Sequence, residues 1–141
     1  MGVIHMKIVA FVKPKNEVVL LYDDHSIYEA LEIMEKHRYT TIPIISREGN
    51  YIGTLSEGDL LWYLKNKESF DVKSMEKKHI TEVKRHRDYQ AINIDANITE
   101  LIVKAADENF VPVVDEHQLF IGIVTRKTLL NYFFEHNFIV L

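Results

Sequence analysis

The sequence contains no cysteine. Disulfides, thiolate nucleophiles and cysteine-based zinc sites are therefore excluded, and the chain fits a reducing, cytoplasmic compartment. Glycine occurs five times, and no Gly-rich loop suits a P-loop or a dinucleotide-binding turn. Long apolar runs are also missing. Ile8–Val12 is cut short by Lys13-Pro14-Lys15, whereas a membrane helix needs about 20 apolar residues. No signal-peptide core or cleavage site follows it. Positive charge is not in excess either. The net charge of −4 supplies no global field to recruit nucleic acid or an anionic membrane.

Catalytic and metal-binding patterns are equally scarce. Seven histidines are present, but none forms an HExxH or a helical i, i+4 pair. His25, His37, His79, His86 and His136 read as surface residues, and no metal or cofactor is expected. Ser56 has no base partner visible in sequence, so the chain does not read as an enzyme. The basic stretch Lys77–Arg87 reads as a solvated linker rather than a nucleic-acid patch.

What is present is a soluble globular composition, with 47% hydrophobic and 27% charged residues. The 141 residues suffice for one compact domain or two small interlocked ones. A repeat decides how they are organised. YIGTLSEGDLLWYL, Tyr51–Leu64, returns as FIGIVTRKTLLNYF, Phe120–Phe133. Pro43 and Pro112 are 112 − 43 = 69 residues apart, and Gly53 and Gly122 share that spacing, 122 − 53 = 69. So do Ser56 and Thr125, Leu60 and Leu129, and Tyr63 and Tyr132.

Each copy reads as β-α-β-β-α. A strand over Val18–Tyr22, and again over Ala91–Ile94, precedes an amphipathic helix. The stripe Ile27, Ala30, Leu31, Met34 marks the first helix, with Ser26 as N-cap and Glu29 completing a capping box. Ile98, Leu101, Ile102 and Ala105 repeat the stripe behind Asn97. Strands follow at Ile42–Ile45 and Val111–Val114, then at Tyr51–Leu55 and Phe120–Val124, separated by polar turns. Helices over Glu57–Lys65 and Arg126–Glu135 close the units. The boundaries are 14–66 for the first repeat, 67–87 for a linker and 88–141 for the second. The opening MGVIHM reads either way, with Met6 as an internal start or with residues 1–5 as an addition to the native chain, so residues 1–5 are left out of the fold reading. The two sheets are expected to pack together about a pseudo-two-fold axis. The expected core is Leu31, Met34, Ile44, Ile52, Leu55, Leu61, Leu101, Val113, Ile121, Val124 and Leu130.

Ser56 and Thr125 each end a strand and open a helix. Helix N-termini present amide donors and a positive dipole end, which suit phosphate. Asp59 could accept from ribose hydroxyls, while its counterpart Thr128 is short and uncharged. Arg126 and Lys127 bring two positive charges to that second helix start. Ser56-x-x-Asp59 is equally what a helix N-terminus needs for its own capping. Before each proline the chain is held extended, and proline in a strand suits an edge. There, free backbone groups could read an adenine edge while Tyr39 or Phe110 stacks on its ring. Phe110 reads equally well as core.

The doubled pattern of capped helix, Ile/Val-Pro-Ile/Val, polar turn and aromatic-Ile-Gly-x-x-Ser/Thr resembles the CBS domain. Two copies resemble a CBS-domain pair, over about residues 14 to 134. Tyr39-Thr40-Thr41-Ile42-Pro43 and Thr125-Arg126-Lys127 are similar to phrases of small stand-alone bacterial CBS proteins that bind cyclic di-AMP. The resemblance implies an adenine-nucleotide sensor for cyclic di-AMP or AMP, ADP or ATP, acting on a protein partner. It implies one cleft of Val19, Tyr39, Thr40, Thr41 and Ile42 with Thr125, Arg126 and Lys127. A second would combine Ala91, Asn93, Phe110 and Val111 with Ser56, Glu57 and Asp59. Thr128 departs from a common ribose-binding Asp, and Glu57 would repel phosphate. The first cleft is therefore ranked first for a dinucleotide and the second for a mononucleotide. The alternative is a ligand-free structural or dimerisation module. The resemblance also implies a homodimer, consistent with apolar Trp62, Phe133, Phe134, Phe138, Ile139 and Leu141.

Overall fold

Backbone capping sets where the helices of this protein begin. The computed structural model describes residues 6–67 and 71–136. Helix α1, Ile27–His37, starts at Ser26, whose Oγ accepts from the Glu29 N–H while Glu29 accepts from the Ser26 N–H. That is the reciprocal capping box its sequence spells. It ends at Arg38, whose φ of 58° places it in the left-handed region. Helix α4, Ile98–Asp107, starts at Asn97, whose side chain accepts from the Thr99 N–H at 2.7 Å. Between them lie α2, Glu57–Lys65, and α3, Val72–Lys77; α5, Arg126–Glu135, comes last.

Strands join these helices into two compact units. The unit from Val19 to Asp88 holds the first repeat. Its sheet has the order β2-β3-β4, with β2 Leu21–Tyr22, β3 Thr41–Ile45 and β4 Tyr51–Ser56. The other unit joins the described residues before Val19 to those from Tyr89 onward. Its sheet has the order β1-β7-β6-β5, with β1 Lys13–Pro14, β5 Ile92–Asn93, β6 Phe110–Val114 and β7 Phe120–Thr125. Each unit contains β-α-β-β-α, a mixed α/β arrangement with one parallel and one antiparallel strand pairing around its central Pro-containing strand. The first strand of each repeat is shorter than the sequence pattern suggests. Pro14, placed by sequence in the first repeat, pairs opposite Gly122 of the second. The close approach needs glycine there, because a Cβ on Gly122 would overlap the Lys13 carbonyl.

Proline is accommodated because the flanking strands are short. β2 pairs with Ile44 and Ile45 of β3, and β5 with Val113 and Val114 of β6. Pro43 and Pro112 lie just before those contacts, so their missing N–H groups interrupt neither parallel ladder.

Each unit has its own core. Leu21, Ile27, Ala30, Ile42, Ile44, Leu55 and Leu60 are buried in the first-repeat unit. Ile92, Ile98, Leu101, Val111, Val113, Val124 and Leu129 are buried in the second, together with Ile8 and Phe11 from the start of the chain. Of the expected core, Met34, Ile44, Leu55, Leu101, Val113 and Val124 are buried, and Leu31, Ile52 and Ile121 pack at its margin. Leu61 and Leu130 are not core: they are 58% and 51% exposed. Their neighbours Leu60 and Leu129 take the inward positions. Adjacent residues on a helix point about 100° apart, so only one leucine of each pair can face the sheet. Leu60→Ala is expected to lower stability by about 2–5 kcal/mol. Leu61→Ala should change it by about 0.5 kcal/mol or less. Urea unfolding of the two variants checks the assignment, and a reversed order would overturn it.

Candidate functional site

Each repeat passes from a strand directly into a helix, and the corner gathers a hydroxyl, helix amides and the segment before proline. In the first-repeat unit Ser56 caps α2. Its Oγ accepts from the Asp59 N–H, and Asp59 Oδ2 accepts from the Ser56 N–H, both at 3.0 Å. The Glu57 N–H donates to the Thr40 carbonyl at 2.9 Å, and Thr41 lies opposite Ser56 in the ladder. The second-repeat unit repeats the plan. Thr125 Oγ1 accepts from the Thr128 N–H at 3.2 Å, its hydroxyl lies 2.8 Å from that of Thr128, and the Arg126 N–H donates to the Asn109 carbonyl at 2.9 Å.

The sequence-predicted residues divide between these two corners. Tyr39, Thr40, Thr41 and Ile42 adjoin the Ser56–Asp59 corner, and Val19 belongs to the same unit. Phe110 and Val111 lie opposite Thr125 and Val124, beside Arg126 and Lys127, with Ala91 and Asn93 in that unit. The two aromatics differ in character. Tyr39 is 44% exposed and stacked on His37 at 5.5 Å. Phe110 is buried and tilted against Tyr89 at 5.0 Å. Arg126 is oriented by its own unit: its Nε donates to the Ala105 carbonyl at 2.8 Å, in the last turn of α4. A cation there complements the negative end of the helix dipole. Lys127 and Thr128 are exposed.

Arg85 and His86, which the sequence reading places in the linker, and Asp88, which it places at the start of the second repeat, also act at the first corner. The His86 N–H donates to Asp59 Oδ1 at 2.9 Å. Asp88 Oδ1 accepts from the Thr54 N–H at 3.0 Å. Arg85 holds both oxygens of Asp88, at 2.7 and 3.2 Å. Gly53 makes room for this, because a Cβ there would overlap the Asp88 carboxylate. The repeat itself carried the signal. Leu21 corresponds to Ile92 across the short strands, 92 − 21 = 71, so Pro14 corresponds to Arg85, 14 + 71 = 85. Pro14 lies against Gly122, and the segment after Arg85 lies against its repeat partner Gly53.

Burial disfavours the charged form of Asp88, but the hydrogen bonds from Arg85 and the Thr54 amide outweigh it and hold the carboxyl below its ordinary value of 3.8. Arg85 is raised in turn by its bond to Asp88. A carboxyl lowered on folding contributes stability above its unfolded pKa, and that contribution is lost as pH falls through the folded one. The stability difference between wild type and Asp88→Asn in urea unfolding should therefore be full near neutral pH and shrink below 3.8. A pH-independent difference would show that the Asp88 charge contributes nothing.

Among the described residues, no group of three or more His, Asp and Glu is placed to hold a metal ion, and no helix is long and apolar enough to cross a membrane. Grooves of about 340 and 330 Å³ run between the helices of each unit, one beside Leu31, Leu61 and Leu64, the other beside Ile102, Leu130 and Phe133. Trp62 and Phe134 are also exposed. Phe138, Ile139 and Leu141 lie outside the described residues.

The CBS domain family model matches residues 9–66 and 80–135. Among solved structures, that of CbpB in complex with c-di-AMP is similar, with 26% identity and a TM-score of 0.85 over 96% of this chain and 90% of that one. CbpB from Streptococcus agalactiae is 27% identical with a TM-score of 0.78, over 91% of this chain and 81% of that one. Homoserine O-acetyltransferase of Methanococcus vannielii is 27% identical over 89% of this chain, which spans 24% of that enzyme's length.

Proposed function

The chain belongs to the CBS-domain family and carries two CBS domains, and on that premise we propose that it is an adenine-nucleotide-sensing regulatory module whose ligand is cyclic di-AMP, the alternatives being AMP or ATP. The observation that carries this reading is the likeness, over nearly the whole chain, to a CbpB structure that holds c-di-AMP. The local chemistry supports it. Tyr39 offers an exposed ring beside extended backbone, where an adenine can stack and be read. Arg126 and Lys127 offer two cations at a helix start, where phosphate is favoured. The residues proposed to contact a dinucleotide are Val19, Tyr39, Thr40, Thr41 and Ile42 in the first-repeat unit, and Thr125, Arg126 and Lys127 in the second-repeat unit. The residues proposed to contact a mononucleotide are Ser56 and Asp59 in the first-repeat unit, and Ala91, Asn93, Phe110 and Val111 in the second-repeat unit.

The module acts by binding rather than catalysis, in the cytoplasm. Its ligand stabilises one of two arrangements that differ in affinity for a protein partner. Exposed Leu61, Trp62, Leu130 and Phe134 support a homodimer formed through the helices. They also favour the second reading, a dimerisation module that takes no ligand.

A thermal-shift panel of cyclic di-AMP, cyclic di-GMP, AMP, ADP, ATP and S-adenosylmethionine separates the two readings. Cyclic di-AMP should raise the melting temperature by linkage; no response to any compound at saturation leaves the dimerisation reading standing. Arg126→Ala and Tyr39→Ala should each weaken cyclic di-AMP by about tenfold or more, the scale of losing a charge-assisted hydrogen bond or a stacked base. Unchanged titrations of both variants would overturn the dinucleotide site.

A further inference from the structure

We infer that residues 84–88 form a strap that closes the Asp59 corner and competes with a ribose diol for its carboxylate. The inference rests on the nucleotide reading above and concerns how that reading is regulated. A diol is recognised by a carboxylate that accepts from both hydroxyls. Asp59 is only 5% exposed, and both its oxygens are engaged by the chain itself, Oδ2 by the Ser56 amide and Oδ1 by the His86 amide. The bond to Ser56 belongs to the helix cap and can persist with a ligand present. The bond to His86 takes acceptor capacity on Oδ1 that a hydroxyl would draw on, at a carboxylate already nearly closed to solvent.

The strap is anchored at both ends and solvated between them. Ile80 and Val83 are buried in the first-repeat core. Asp88 is tied to the Thr54 amide and to Arg85. Lys84, His86 and Arg87 are exposed. The second corner presents Thr128 in place of Asp59, and β1 lies along its strand by backbone pairing. Closure by a carboxylate latch is thus a property of the first corner. Loosening Asp88 should open that corner to a mononucleotide and leave the Tyr39 ring and the α5 start unchanged.

The test uses the full chain with AMP, 2′,3′-dideoxy-AMP and cyclic di-AMP, read by calorimetry and by amide hydrogen exchange at His86. In the wild type the His86 amide should be protected, AMP should speed its exchange, and the dideoxy compound should not. Asp88→Ala should bind AMP about tenfold more tightly, since one charge-assisted bond no longer holds the strap. Arg85→Gln, a milder change should the first variant fail to fold, should shift AMP in the same direction. Free exchange of His86 in the wild type overturns the strap. So does AMP affinity that neither variant alters, or AMP binding that leaves His86 protected. Cyclic di-AMP in the same samples reads the sensor proposal separately: its failure to bind the wild type counts against that proposal, whereas its retention beside an unaltered AMP response counts against the strap alone.

Discussion

A helix that begins where a strand ends must find partners for its first amide groups within a few residues, because buried backbone donors without partners are costly. That requirement shapes both repeats. It calls for a hydroxyl at Ser56 and at Thr125, each accepting from an amide three residues on. It draws the carbonyls of Thr40 and Asn109 onto the N–H groups of Glu57 and Arg126. Those two carbonyls belong to the segments that enter β3 and β6. The same bonds that begin the helices therefore place the extended residues before each proline at the corner. In the proposed reading, the atoms that cap the helices are therefore the same ones that would meet a ligand.

The two corners meet this requirement with different chemistry. Asp59 is buried and accepts two amides, from Ser56 and from His86. Thr128 has only a hydroxyl, which meets that of Thr125. At Gly122 the neighbouring partner is the β1 backbone, whereas at Gly53 it is the Asp88 carboxylate. Backbone pairing has no charge to titrate or displace. A carboxylate held by an arginine and an amide depends on solvent, pH and competing donors. Duplicate topology has thus yielded one corner built from fixed backbone contacts and one built from exchangeable polar ones.

Much of this was legible in the sequence because the governing interactions are local or periodic. The constant spacing of Pro43 and Pro112, and of Gly53 and Gly122, exposed the repeat. Ser26 and Glu29 announced a capping box that forms as spelled. The helices α2 and α5 begin and end where the sequence pattern places them. Less legible was which leucine of each Leu-Leu pair faces the sheet. That depends on the angle at which the strand enters the helix, and the cap sets it: with Asp59 turned inward, Leu60 follows and Leu61 faces out. The role of residues 85–88 was hidden for another reason. Arg85 and His86 lie in a charged stretch without apolar periodicity that reads as solvated, Asp88 reads as the edge of the second repeat, and the partners Thr54 and Asp59 lie 34 and 27 residues away from Asp88 and His86. Only extending the repeat backwards from Ile92 would have pointed to them.

Helix α2 joins the polar corner to the apolar surface. Its first turn carries Asp59, and the next residues are Leu60, buried, and then Leu61 and Trp62, exposed. Nine residues of helix form a nearly rigid rod, and close packing around Leu60 leaves little slack for its first turn to move alone. A donor that replaces the His86 amide on Asp59 acts on the same element that presents Leu61 and Trp62. Under the proposed nucleotide reading, the short path from the Asp59 carboxylate to the exposed Leu61 and Trp62 is the route by which occupancy would reach the surface, with no rearrangement of either sheet required.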